Sequence, residues 1–430
     1  MHAHRRIVIA IAALALPACG GAAAPAVQVR HDTVADTVIV RTVAGSQWGG
    51  PAVLEPELRI GAFEGADHYM FGNVVSLAVG PDGSMYVMDR QVPALRKYAA
   101  DGAYVATFGR EGAGPGEYRR PDGGLVTLPD GRVVLRDPGN ARLQVYAPTG
   151  EALATIPIRG NFNTSSNMVV DTAGRVYTQI LLDPEARVTE WRAGLAGYDP
   201  DTGQPVDTVA APTWAFETPR LVAQRVSDSG TSTSVNSVPF SPSEAWALSP
   251  LGHMVGGLST RYAVDQYRRG GAVLRIERVH EPVPVEPGEK ADAEARARWG
   301  MRNTQPDWKW NGPAIPDRKP PFQRLWVGKD GRIWVQVAQP GERVPEEEVE
   351  RPADGDPNPR PPVRWREPVA FDVFEPDGTY LGEVGAPRGF SMSPAPVFDG
   401  DRVWAVVRDE LDVQYLTRFR VTPRAATEST

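Results

Sequence analysis

Six times along this chain an apolar run enters a tight turn and a second apolar run leaves it. Val74-to-Val79 passes through Pro81-Asp82-Gly83 into Ser84-to-Met88, and Leu125-to-Leu128 through Pro129-Asp130-Gly131 into Arg132-to-Leu135. Thr172-Ala173-Gly174, Pro250-Leu251-Gly252, Lys329-Asp330-Gly331 and Asp399-Gly400-Asp401 repeat the arrangement. Turns of this kind between alternating apolar runs are a strong local hairpin signal, because Gly takes the positive φ they demand. A second turn follows 19 residues after the first in the first, second and fourth repeats, so each repeat holds two hairpins. Four-stranded antiparallel units of this size bury both faces when they stand in a radial ring. The expected fold is all-β: a six-bladed β-propeller of four-stranded antiparallel blades. Its 43 Gly and 41 Pro argue against long helices, which agrees.

Closure of the ring is also readable. Residues 60–83 align without a gap on 108–131, and the second stretch leads from the outer strand of one blade into the inner strand of the next. By the same logic Glu57-to-Phe63 is an outer strand that precedes the first blade. The last repeat has three strands of its own, near 395–398, 403–409 and 413–421. The N-terminal strand is expected to join the last blade as its fourth. The propeller then occupies 53–423, and 424–430 is a disordered tail.

Val134-to-Gly150, with Asp137, Asn140, Arg142 and Tyr146, resembles the NHL repeat, as does the Gly112-to-Tyr118 loop before it. The first blade matches more weakly through Asp89, Leu95 and Tyr98. The chain is similar to the six-bladed, NHL-like lipoproteins of bacterial envelopes. That resemblance implies a propeller in which Asp89, Asp137, Asn140 and Arg142 satisfy backbone groups. It implies no single activity, since such propellers range from binding modules to lyases.

The N-terminus points to an address. His4, Arg5 and Arg6 precede an apolar Ile7-to-Leu16, and Leu16-Pro17-Ala18-Cys19 follows. Ten apolar residues are too few to span a bilayer, which takes about 20. The segment resembles a lipoprotein signal with its lipobox. That implies removal of residues 1–18 and acylation of Cys19, with 19–52 as lipidated Cys and tether. The membrane is then a partner through the lipid anchor. Gly20 stands where an Asp would retain the protein at the inner membrane, so the expectation is the outer membrane, facing periplasm or cell surface. The single Cys excludes a disulfide framework and Cys-based zinc sites. A formal charge of −7 leaves no electrostatic footprint for nucleic acid.

Strand alternation sorts the loops onto two ends. The short Gly turns share one end. The other end receives every long insertion: 210–243, 281–322 and 338–368, with the 64–73 and Gly114-Pro115-Gly116 loops. Long loops converging on one end of a compact domain point to function there. The candidate binding face holds His68, Tyr69, Arg110, Glu117, Tyr118, Arg119, His280, Trp299, Trp308 and Trp310. Glu289-to-Arg302 reads as a short helix. The three Trp beside it offer flat apolar area for a partner, or pack the insertion onto the rim.

Two function classes follow. One is an envelope module that binds a small ligand or an envelope protein on this face, acting as a monomer without cofactor. The other is a metal-dependent hydrolase or lyase that uses His68, His280 and a carboxylate such as Glu117. His253 lies at the opposite end and His31 in the tether, so three His cannot meet. No helix follows Gly109-to-Gly116, which excludes a phosphate loop, and no Gly-x-Ser-x-Gly elbow exists. Arg110, Arg119 and Arg120 are expected to pair with Glu111, Glu117 and Asp122. No catalytic residue and no metal is assigned.

Overall fold

The structure, a computed structural model, describes residues 27–158, 168–186, 190–228, 230–350 and 358–424. Cys19 and residues 425–430 of the tail lie outside them.

Six four-stranded antiparallel units follow the six repeats. The first is Val74–Val79, Met85–Asp89, Ala94–Tyr98 and Tyr104–Phe108. The second is Leu125–Thr127, Val133–Asp137, Arg142–Tyr146 and Ala152–Pro157. Val169–Val170, Val176–Leu181, Ala193–Tyr198 and Pro205–Ala210 make the third. The fourth is built on Glu244–Leu248, Met254–Leu258, Ala263–Tyr267 and Val273–Arg278. Phe322–Val327, Ile333–Val337, Ala370–Phe374 and Tyr380–Gly385 form the fifth. The sixth takes Val397–Asp399, Arg402–Arg408 and Gln414–Pro423 from the C-terminus, and it is continuous with the fifth in one eight-stranded sheet, since Val384 and Gly385 pair in parallel with Ala52 and Val53.

Its fourth strand comes from the N-terminus. Strand β3 (Ala52–Ile60) pairs antiparallel with Gln414–Pro423, from Ala52 opposite Pro423 to Ile60 opposite Leu416. The strand therefore lies earlier than the expected Glu57-to-Phe63. It stops at Ile60, and Gly61 beyond it has φ +133, a position where only Gly fits, since a Cβ would sit 2.9 Å from Gln414 O and from the Tyr415 ring. Glu57, beside the register shift of β3, gathers Arg402, Arg418 and Arg420 at 3.2, 3.1 and 2.7 Å.

Alternation along each strand sends successive side chains to opposite faces, and both faces are apolar because each meets a neighbouring sheet. Val133 and Leu135 join Met88, Leu95 and Phe108 of the first sheet. Val134, between them, joins Met168, Val176 and Tyr198 of the third. One such cluster lies between every two consecutive sheets: Tyr177 with Leu248, Val255 with Phe322, and Phe371 with Phe398 mark the next three. A sixth, with Trp404, Val406 and Leu416 against Leu77, Val87 and Tyr98, joins the last sheet to the first. The chain is mostly β and propeller-like.

The segment expected as a tether holds structure. Strands β1 (Gln28–Val34) and β2 (Thr37–Ala44) form a hairpin, and β2 runs parallel to Val273–Arg278. The fourth sheet thereby has six strands. Val40 and Thr42 are buried against it, and Arg41 pairs with Glu277 at 2.5 Å. The hairpin turns at Ala35, whose φ is +51 without a Gly, so the turn signal that marked the repeats is missing here.

Candidate functional site

The two ends of the molecule differ as the alternation requires. At the turn end, neighbouring sheets touch through their Gly turns. The Thr172 amide donates to Pro250 O at 2.9 Å and the Lys329 amide to Phe398 O at 2.9 Å, while Lys329 Nζ reaches past the sixth sheet to Val79 O of the first at 2.8 Å. At the insertion end, the three long insertions meet one another.

Helix α1 (Pro287–Arg302) opens on Glu286, whose amide donates to Glu289 Oε2 at 3.4 Å, and carries Pro287 in its first turn. Its Ala-rich inner face brings Ala293, Ala297 and Met301 inward. Met301 packs with Leu221, Ala223, Val238, Trp308 and Ile315, a small core separate from the sheets. Leu221 and Ala223 belong to the insertion hairpin, strands Arg220–Ser227 and Gly230–Ser237. The third insertion closes the lobe: Asp292 Oδ2 accepts from the Arg364 and Trp365 amides at 2.7 and 3.1 Å.

A buried lysine ties this lobe to the fifth sheet. Lys319 Nζ donates to Glu289 Oε1 at 2.6 Å, Glu367 Oε2 at 2.9 Å and Gln339 O at 2.9 Å. Burial pushes the Glu367 carboxyl up despite hydrogen bonds from the Gln339 amide and Lys319. All three ammonium protons have acceptors, so the charge is held as structure.

The Trp residues divide. Trp308 is buried, with Nε1 donating to Val222 O at 2.8 Å, so its faces belong to the lobe core and not to a binding platform. Trp310 meets it edge-on at 6.1 Å and donates to Pro313 O at 2.8 Å. Trp299 is half-buried and donates to Asn358 O at 3.0 Å. Trp308→Ala is expected to cost about 3–5 kcal/mol of lobe stability, as large core truncations do. Limited proteolysis should then cut the 210–243 hairpin while the sheets resist.

The candidates near the first and second sheets are pinned by the NHL-like residues. Asp137 accepts from the Arg119 amide at 2.7 Å, Asn140 Nδ2 at 2.6 Å and Arg142 Nε at 3.1 Å. Arg142 Nη2 donates to Gly114 O and Glu117 O, each at 2.7 Å, and Asn140 to Gly112 O at 2.9 Å. Asp89 holds the equivalent place, accepting from the Gly72, Asn73 and Gln91 amides. The Glu117 carboxylate lies 2.7 Å from Arg110, and the Gly114 amide, then Arg110, hold its carboxyl below the usual range. Arg119 is exposed. Asp122 pairs with the fully buried Arg136 at 3.0 Å, not with the loop arginines. Tyr118 is buried, its hydroxyl 3.3 Å from Phe108 O, and presents nothing to a ligand.

His68 stacks on Tyr104 at 4.1 Å, and its carbonyl accepts from Tyr98. Beside it, Tyr69 lines an open cavity of about 390 Å³ with Arg59, Glu64 and Asp101. His280 lies against Tyr262 at 5.9 Å, and burial lowers its pKa. Among the described residues no three His, Cys, Asp or Glu side chains are placed to hold a metal. The proposed His68, Glu117 and His280 set is thus not brought together.

Residue types alone did not single out two features. Asp372, fully buried between the fourth and fifth sheets, accepts from Tyr262 at 2.6 Å, Arg278 at 2.7 Å and Tyr380 at 2.7 Å. The second is exposed apolar surface. Among the described residues thirteen large apolar side chains are exposed, and seven of them sit in connections of the insertion end. Phe63, Val92 and Leu411 border the sixth and first sheets, and Trp191, Val226, Val279 and Val363 border the third to fifth. Among the described residues, only Leu251 of these thirteen occupies a Gly turn at the opposite end. The exposed apolar side chains are thus unequally divided between the two ends, which makes the insertion end the candidate interface.

No family model and no curated protein sequence matches the chain. Among solved structures, a member of the DUF4221 family from Bacteroides vulgatus is similar, with TM-score 0.50 and 11% identity over 87% of this chain and 99% of that one. A Bacteroides fragilis protein assigned as exported has TM-score 0.46 at 10% identity, covering 89% and 99%. A gluconolactonase from Xanthomonas campestris has TM-score 0.38 at 13% identity, covering 86% and 98%. At such identities the likeness to the DUF4221 protein speaks to fold alone, and the fold it shares with this chain is a propeller-like array of β-sheets.

Proposed function

We propose that this chain is an envelope lipoprotein, acylated at Cys19, whose six sheets close into a six-bladed propeller of the NHL-like kind. It binds a protein partner on the insertion end. The observation that carries the binding reading is the gathering of exposed apolar side chains on connections of that end, around a lobe with its own core. The apolar groups are spread along the rim instead of lining an enclosed cavity. The cavity beside Tyr69 and another of about 310 Å³ beside Arg110 and Glu117 are open to solvent and not enclosed. A rim of this kind suits a broad protein surface better than a small ligand. His68, Glu117 and His280 lie in separate surroundings, which speaks against a hydrolase or lyase built on these three ligands.

The test is cross-linking in intact envelopes followed by capture. Changing Phe63, Trp191 and Leu411 together to Ser is expected to leave the melting temperature unchanged and to cut captured partner at least tenfold. Undiminished capture by the folded triple variant would overturn the reading. Lipidation is tested separately: Cys19→Ala should abolish incorporation of labelled palmitate.

A further inference from the structure

The insertion hairpin is a two-stranded sheet by itself, and its two outer edges are treated differently. Leu221 and Ala223 face Asn236 and Ser234 across the ladder, whereas Val222 opposite Val235 and Gln224 opposite Thr233 turn their backbone groups outward. On the first strand those outward groups are taken by side chains of the 281–322 insertion. Asn311 Oδ1 accepts from the Val222 amide at 3.3 Å, Gln305 Oε1 accepts from the Gln224 amide at 3.3 Å, and Trp308 and Asn311 both donate to Val222 O. Side chains thus stand in for a neighbouring strand.

The second strand, Gly230–Ser237, has no such cover. The outward backbone of Thr231, Thr233 and Val235 meets no strand and no side chain among the described residues. Edge strands are ordinarily guarded by charge, proline or a bulge. This one, Gly-Thr-Ser-Thr-Ser-Val-Asn-Ser, has no charge and no proline, and its register runs unbroken from Gly230 to Ser237. Opposite Thr231 stands Val226, 80% exposed.

We propose that this edge pairs with the same edge of a second copy of the chain, antiparallel about a two-fold axis through Thr233. In that register Thr231 faces Val235 of the other copy and Thr233 faces itself. The β-branched Thr and Val lie across from one another on one side, and Ser232 faces Ser234 on the other. An uncharged strand meets no like charge in its own copy, which is the condition that self-pairing requires. Two isolated two-stranded ribbons become one four-stranded sheet, past the size at which a ribbon is marginal. The contact is small, so the dimer forms in a concentration-dependent way. It replaces the sequence expectation of a monomer.

The test uses the full chain carrying Cys19→Ala, so that an added Cys is the only one. Thr233 pairs with itself as a hydrogen-bonded pair, which places the two Cα atoms about 5.5 Å apart, within disulfide reach. Thr233→Cys is expected to give a covalent dimer under mild oxidation, and Arg225→Cys, on the covered strand, to remain monomeric. Sedimentation across a dilution series should show monomer and dimer for the parent and monomer alone for Thr233→Pro. The Thr233 amide makes no bond within the hairpin, so the Pro variant should melt as the parent does. A parent that is monomeric throughout, or a dimer that survives Thr233→Pro, overturns the proposal.

Discussion

Removal of residues 52–60 is expected to abolish the cooperative unfolding transition, leaving a chain without a sharp melt by near-ultraviolet circular dichroism. Strand β3 supplies Ala52 and Leu54 to the core between the fifth and sixth sheets and Ile60 to the core between the sixth and first. Without it, Gln414–Pro423 becomes an open edge, and Arg402, Arg418 and Arg420 lose the carboxylate they share. Burial pushes Glu57 up, but hydrogen bonds from Arg420 and Arg402 outweigh it and hold the carboxyl below its usual range. The contrast is removal of residues 28–44. Strands β1 and β2 add to the outside of the fourth sheet, and of their side chains only Ile39, Val40 and Thr42 are buried. At about 1.5–3 kcal/mol for each buried apolar side chain, that deletion should leave one cooperative transition at lower denaturant. Equal behaviour of the two deletions would refute the closing role of β3.

Asp372→Ala should cost about 3–5 kcal/mol, read as a shift in the urea midpoint at constant slope. The loss comes less from the bonds removed than from what stays behind. The Arg278 guanidinium and the hydroxyls of Tyr262 and Tyr380 would lie unanswered between two packed sheets. Asp372→Asn keeps an acceptor and should recover part of the loss. Arg261→Ala, which removes a half-exposed partner of Glu277, should cost below about 1 kcal/mol. An Asp372→Ala variant as stable as Arg261→Ala would mean that water satisfies the three donors.

The repeat structure was legible because its signals are local. A Gly turn and a period of two are written within a dozen residues, so Pro129-Asp130-Gly131 announces its hairpin without knowledge of the rest. The role of β3 was legible for another reason. Residues 60–83 resemble 108–131, so an internal copy revealed a pairing to residues over 350 positions away. Where neither signal exists, reading failed. The β1–β2 hairpin turns on Ala35 and has no internal copy. Trp308 resembles any exposed aromatic until Leu221 and Ala223, far earlier in the chain, arrive to cover it. Tyr118 carries a hydroxyl that suggests a binding face, yet backbone carbonyls of Pro93 and Phe108 satisfy it inside the protein.

The docked hairpin also sets a leash. Had residues 19–52 been free chain, an anchor at Cys19 would let the body range more than 100 Å from the lipid, at about 3.3–3.6 Å per residue. Because the chain is fixed from Gln28 onward, an anchor at Cys19 would be joined to the body by eight residues, which span at most about 30 Å. Acylation at Cys19 would therefore moor the protein by the insertion-end corner of its fourth sheet, where Gln28 lies opposite Ala44, just past the Thr42–Arg278 pair.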